Sequence, residues 1–334
     1  MEERLTAAAG ELLAELRGTV ATVTLNRPEA LNALSFGMLR GLAAWLDAWE
    51  KDERVRTVVL RGAGGKAFCA GGDIRALHDG ARSGGDAHHG FFAFEYALDY
   101  RIHTYPKAIV AVMDGIVMGG GMGIAQGASV RIVGDRTRMA MPETAIGLFP
   151  DVGGSYFLSR VPGRLGLYLG LVGPTIGAAD AIYCGLADLH VGGVLPEPEL
   201  AALRPAIDRH FAHDSVAAIL GSLESEDRPE FRAWAGRTLQ ALHERSPTML
   251  AVTLEQLRRG ATLPLAECLR MELNLVHGCF EQGDFVEGIR AMLVEKDRRP
   301  RWNPPRLAEV SPAAVERFFA PRWTPAQHPL AFIP

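Results

Sequence analysis

Two hydrophobic spacings alternate along the first two hundred residues, and together they restrict the chain to an α/β fold. Residues 11–18 and 20–25 read as a hairpin about Arg17-Gly18-Thr19. Ala21, Val23 and Leu25 fall on one side of it and Val20, Thr22 and Thr24 on the other. Pro28 closes that strand, and Ser35 is placed to cap a helix in which Leu39, Leu42, Leu46 and Trp49 recur at helical spacing. Short β-branched or apolar runs follow at 57–61, 108–114, 130–133 and 138–141. Helix-like stretches lie at 74–78, 91–103 and 155–171, and 62–73, 83–90 and 142–154 read as loops. Strand pairs alternating with helices make an α/β pattern, with crossovers predicted to be right-handed.

The texture changes near residue 195. Residues 198–221, 228–243, 248–259 and 265–280 are helix-like and strand signals fade, so a core over 1–195 and a helical region over 196–334 are expected. A chain of 334 residues exceeds what one core usually holds, roughly 250–300 residues, which suits that division. With 35 Lys+Arg against 39 Asp+Glu there is no basic surplus to neutralise phosphates, so nucleic acid is not an expected partner. No apolar run reaches the ~18 residues of a membrane span, and residues 1–18 have neither the apolar core of a signal peptide nor the Arg-rich character of a transit peptide. Cys69, Cys184, Cys268 and Cys279 form no CxxC pair, which reads as reduced thiols and a cytoplasmic setting.

Two glycine-rich turns carry the first chemical signal: FCAGGDI (68–74) and MGGGMG (118–123), each between a strand and a helix. Glycine permits close backbone approach, and a helix start leaves N–H groups unpaired. Two such groups converging on one oxygen would make an oxyanion hole. Either run alone serves equally well as a tight turn. A dinucleotide reading of Gly62-x-Gly64-x-x-Ala67 is weak, because no strand ending in an acid follows about 20 positions on. The second signal is MPETAIGLFPDVGG (141–154), which sets Glu143 and Asp151 in an apolar stretch, each directly after a proline. Taken alone these are a helix cap and a surface turn acid. Apolar surroundings would raise their pKa values toward a range useful for proton transfer. Glu95 is a third acid, on the 91–103 helix, where an acid is usually solvated. There is no GxSxG elbow and no P-loop. His88-His89 and His210-x-x-His213 have no ligand-spaced partners and read as surface histidines, with no metal site. Asp73 reads as a helix cap.

At these residues the chain resembles the crotonase (enoyl-CoA hydratase/isomerase) superfamily, and within it the 3-hydroxyisobutyryl-CoA hydrolase branch. The matching stretches are LNRPEALNAL (25–34), KAFCAGGDIRAL (66–77), MGGGMG (118–123), MPETAIGLFPDVGGSYFLSR (141–160), SPTML (246–250) and DFVEGIRAMLVEKDRRPRW (284–302). The resemblance implies a spiral of ββα units with a helical C-terminal region, and hydrolysis of a short β-hydroxyacyl-CoA to the hydroxy acid and free CoA, as in valine degradation. It implies that the amides of Gly72 and Gly120 hold the thioester oxygen and that Glu143 and Asp151 are the catalytic acids. Glu95 and Gly120 match further substrate contacts, with Ala70 and Gly71 beside Gly72. No resident cofactor is implied, since CoA arrives with the substrate; Arg27, Lys66 and Arg75 are candidates for its phosphates. Superfamily members often assemble as trimers or hexamers, so a homo-oligomer is one expectation; the alternative is that the long C-terminal region covers that interface instead. Hydratases of the superfamily carry a second Glu two residues beyond the glycine triplet, where this chain has Gly123. Ser155 departs from the glycine that relatives often carry. The rival expectations are an enoyl-CoA hydratase or isomerase, and a non-catalytic acyl-CoA-binding or assembly protein.

Overall fold

In the hairpin of β2 (Leu12–Arg17) and β3 (Val20–Leu25), Leu12, Ala14, Leu16, Ala21, Val23 and Leu25 are all buried on one face. The strands pair antiparallel from Leu12↔Leu25 to Arg17↔Val20 across a turn in which Gly18 has φ +59°. The next helix, Phe36–Lys51, starts where Ser35 accepts a hydrogen bond from the Met38 amide, a cap that stabilises a helix by about 1 kcal/mol. Its Leu39, Leu42, Leu46 and Trp49 are buried as their spacing requires.

The computed structural model describes residues 2–74 and 87–334, in two compact units. One comprises residues up to 74, 93–140 and 175–198, and the other 87–92, 141–174 and 199 onward. The first unit holds both sheets. A seven-stranded sheet runs β1-β2-β3-β4-β6-β8-β10, with β1 Glu2–Ala7, β4 Thr57–Gly62, β6 Ala108–Met113, β8 Val130–Gly134 and β10 Leu189–Val191. From β3 to β10 every pairing is parallel. A three-stranded parallel sheet runs β5-β7-β9, with β5 Ala67–Cys69, β7 Ile116–Met118 and β9 Arg138–Ala140. Each consecutive pair, β4/β5, β6/β7 and β8/β9, therefore gives one strand to each sheet, which is the repeated ββα pattern. At the crossings a methyl group on Gly62, Gly115 or Gly121 would strike the backbone carbonyl of Ala67, Lys66 or Cys69.

Several elements differ from expectation. β1 lacked a sequence signal because it is an edge strand, its residues from Glu3 to Ala7 half-buried and exposed by turns. β5 lies in the stretch read as a loop. It is three residues long and buried throughout, so no alternation marks it. The stretch 155–171 is broken, with helices at Gly154–Phe157 and Leu165–Val172 on either side of Pro162-Gly163. The stretch 198–221 splits into Glu199–His210 and Val216–Glu224, the second capped by Ser215. Helix Ala178–Tyr183 and β10 went unforeseen, and helix Ala87–His103 begins before residue 91. Most of the 74–78 helix and half of the 83–90 loop, with Arg75, lie outside the described residues, as do the side chains of His88 and His89.

From Glu199 on, the described elements are helical, in line with the expected change of texture. Among the described residues no helix is long and apolar enough to cross a membrane.

Candidate active site

The Ala70-Gly71-Gly72 turn leaves β5 with its backbone fastened to residues 31–34. The Ala70 amide donates to the Leu31 carbonyl at 3.1 Å, Leu34 donates to Gly71 at 2.8 Å, and Asp73 donates to Leu34 at 2.9 Å. Residues 31–34 can receive it because Leu31 and Asn32 take left-handed φ values of +52° and +58°. Asn32, fully buried, donates through Nδ2 to the carbonyls of Ala63 and Ala67 at 3.0 and 2.8 Å and accepts from the Arg27 amide at 3.0 Å. An asparagine both tolerates that backbone and supplies the local hydrogen bonds it needs.

The second turn follows β7. Gly119 sits at φ +50°, ψ −124°, a conformation open in practice only to glycine, and helix Gly120–Gln126 begins at the next residue. The two turns meet. A methyl group on Gly120 would stand 3.2 Å from the Gly72 amide nitrogen and 2.5 Å from Glu95 Oε1; one on Gly71 would stand 3.5 Å from the Gly120 nitrogen. Among the described residues neither the Gly72 nor the Gly120 amide has an acceptor. Glu95 is 2% exposed, where an amphipathic helix had suggested a solvated acid. Asp99, one turn further along the same helix, is also buried and had not been singled out. The Cys69 thiol between these elements is pushed up to about 12 by burial, with the Gly71 amide hydrogen bond opposing, and is no nucleophile.

The second unit holds the other acids. Glu143 opens a 3-10 turn, Glu143–Ile146, and its carbonyl accepts from the Leu148 amide at 3.1 Å. Glu143 is 5% exposed and Asp151 4%, with Leu148, Phe149 and Val152 buried around them, which excludes a surface turn acid. Burial first, and the nearby Asp151 charge second, raise the Glu143 carboxyl well above the usual carboxylate range. Its Oε2 is buried and has no hydrogen-bond partner among the described residues. After Asp151 the backbone stays left-handed for two residues, Val152 at φ +53° and Gly153 at +87°.

Glu272 is the residue that sequence reasoning missed. Fully buried on helix Leu265–Gln282, it accepts from the amides of Gly153 and Ser155 at 2.8 and 2.9 Å and from the Ser155 hydroxyl. The departure at Ser155 thus adds a donor to this carboxylate. Burial pushes Glu272 up to about 8; the three hydrogen bonds oppose that rise and the Asp151 charge adds to it. The folded value lies above the ordinary 4.5, so between them the unfolded chain releases a proton that the folded chain keeps. The associated stability is present below about pH 4.5 and is lost as pH rises through about 8. The melting temperature is therefore expected to fall across that window more steeply in the native chain than in Glu272→Gln. Parallel slopes would show that Glu272 does not titrate there.

The description "Enoyl-CoA hydratase/isomerase" belongs to a family model that matches residues 20–194 and 192–319. The chain belongs to that family. It is 39% identical to a mitochondrial 3-hydroxyisobutyryl-CoA hydrolase of Gallus gallus, across 95% of this chain and 90% of that protein. It is 38% identical to 3-hydroxyisobutyryl-CoA hydrolase 1 of Arabidopsis thaliana, across 94% and 92%. A carnitinyl-CoA dehydratase structure from Mycobacterium thermoresistibile shares 42% identity at a TM-score of 0.88, covering 93% of this chain and 96% of that one. An enoyl-CoA hydratase structure from Rhodobacter sphaeroides 2.4.1 shares 40% at 0.88, covering 93% and 98%. The crotonase fold expected from the motifs is thereby shown.

In this enoyl-CoA hydratase/isomerase family member several other side chains singled out in the sequence are already engaged. Arg27 is engaged by Glu11 and Asp73, each at 3.0 Å, and by the Ala33 carbonyl, which removes it from the phosphate candidates; Lys66 is exposed. His210 is fully buried between Ser222 and Glu226, at 2.7 Å from each, so it is no surface histidine. Among the described residues no group of three or more His, Cys, Asp or Glu side chains could hold a metal ion. All four cysteines are buried, and none is in a disulfide.

Proposed function

We propose that this chain hydrolyses a short β-hydroxyacyl-CoA thioester, 3-hydroxyisobutyryl-CoA foremost, to the hydroxy acid and free CoA. The observation that carries the reading is the buried pair Glu143 and Asp151 on one segment, with the Glu143 carboxyl raised and its Oε2 unengaged. Two curated relatives near 40% identity carry that hydrolase name.

In this reading the Gly72 and Gly120 amides stabilise the oxyanion that forms as the carbonyl is attacked. Glu143 supplies the attack, with its own oxygen or by taking a proton from water. Asp151 orients the substrate hydroxyl and handles the proton that the leaving thiolate needs when the C–S bond breaks. Glu95, Ala70 and Gly71 contact the substrate near the oxygen. The chemistry needs no resident cofactor or metal, because CoA enters with the substrate. A homo-oligomer in the cytoplasm, with a role in valine degradation, completes the reading; four thiols outside any disulfide suit a reducing compartment.

A second reading, hydration or isomerisation of an enoyl-CoA, is favoured by the two similar structures, one of a carnitinyl-CoA dehydratase and one of an enoyl-CoA hydratase. The position two residues past the glycine triplet speaks against it. Gly123 is buried in the helix and offers no acid to share water addition with a glutamate. One assay separates the readings and tests a silent acyl-CoA binder as well. Purified protein is given 3-hydroxyisobutyryl-CoA with a thiol trap, and crotonyl-CoA with absorbance of the enoyl thioester. Thiol release from the first is expected. Loss of enoyl absorbance without thiol release would establish the second reading, and inertness toward both would establish a binder.

A further inference from the structure

We propose that Glu272 is a positioning residue for hydrolysis, holding the turn that follows Asp151 in the conformation that aims its carboxylate. The inference rests on the reading of Asp151 as a catalytic acid. Asp151 lies between two fixed points. On its N-terminal side the Pro150 carbonyl accepts from Gln256 Nε2 at 2.6 Å, and Gln256 is fully buried on helix Pro247–Gly260. On its C-terminal side the amides of Gly153 and Ser155 and the Ser155 hydroxyl all converge on Glu272. The turn itself closes through the Gly154 amide, which donates to the Asp151 carbonyl at 2.7 Å.

Two physical points make this more than packing. Val152 is β-branched at φ +53°, a conformation such a residue leaves unless its surroundings over-determine it. The restraint that over-determines it is the Glu272 carboxylate, which takes both amides on the far side of Val152. A buried carboxyl group is also a costly strut, since apolar packing would serve stability at least as well. The Asp151 charge acts on Glu143, on Glu272 and on Cys279, so its carboxylate lies near all three.

The test is steady-state hydrolysis of 3-hydroxyisobutyryl-CoA by Glu272→Gln, which keeps the side chain's volume and replaces one acceptor oxygen with an NH2. A misplacement of about 1 Å can cost about 10²-fold in rate, so kcat per folded molecule is expected to fall about 10- to 100-fold. KM should stay within about threefold and thermal melting should remain cooperative. A kcat per folded molecule within about twofold of the native value, whatever the melting temperature does, overturns the proposal. If Glu272→Gln does not fold, Glu272→Met decides by the same criterion, because it replaces the carboxyl group with apolar bulk of similar size. Asp151→Asn, measured alongside, separates the failures. A slow Asp151→Asn with a normal Glu272→Gln overturns this inference alone. A normal Asp151→Asn overturns the catalytic reading of Asp151, and this inference with it.

Discussion

Glu143→Gln is expected to lower the rate of thioester hydrolysis by about 10²–10⁴-fold, the usual worth of a positioned base, while leaving the fold intact. The amide fits the space of the acid and needs no proton, so the buried site loses its base without gaining a cavity or a charge. Burial already disfavours the charged carboxylate here, and the Asp151 charge adds to that. Removing the ionisable group should therefore leave the melting temperature unchanged or raise it. The native rate should also increase with pH along a limb set above the usual carboxylate range, because Glu143 must be deprotonated to attack or to take a proton. Circular dichroism, melting and a pH–rate profile check all three expectations together. A variant that keeps near-normal turnover would remove Glu143 from the chemistry.

Gly120→Ala is expected to be nearly as damaging by a different route. Its methyl group would sit 3.2 Å from the Gly72 amide nitrogen and 2.5 Å from Glu95 Oε1, in the space between the two turns. The oxyanion would be displaced from at least one donor, and loss of one such donor typically costs about 10²–10³ in kcat. Alanine is otherwise favourable at a helix start, so the fold should tolerate it better than the chemistry does. The decisive readout is kcat in protein shown to be folded. A native kcat in Gly120→Ala would mean that these amides hold no developing charge.

What could be read from residues alone divides along a physical line. The β2–β3 hairpin and the Ser35-capped helix were legible because period-two and period-3.6 burial and a cap are local properties. The glycine turns and the 141–154 acids were legible as motifs, since backbone approach and apolar flanks leave marks in composition. Glu272 left none: its partner Ser155 lies 117 positions away, and an acid on an amphipathic helix looks solvated until the chain folds. Glu95 and His210 misled for the same reason, their burial being set by neighbours remote in sequence. Arg27 looked available because nothing local reveals its pairing with Glu11 and Asp73.

The crowding at Gly62, Gly115 and Gly121 shapes how this chain can vary. All three abut the main chain of residues 66–69, the short strand that delivers the Gly71-Gly72 turn. A saturation-mutagenesis survey scored on turnover would leave those rows as blank as the row for Glu143. Their intolerance would come from bulk alone, and no change of pH, substrate or temperature would restore them.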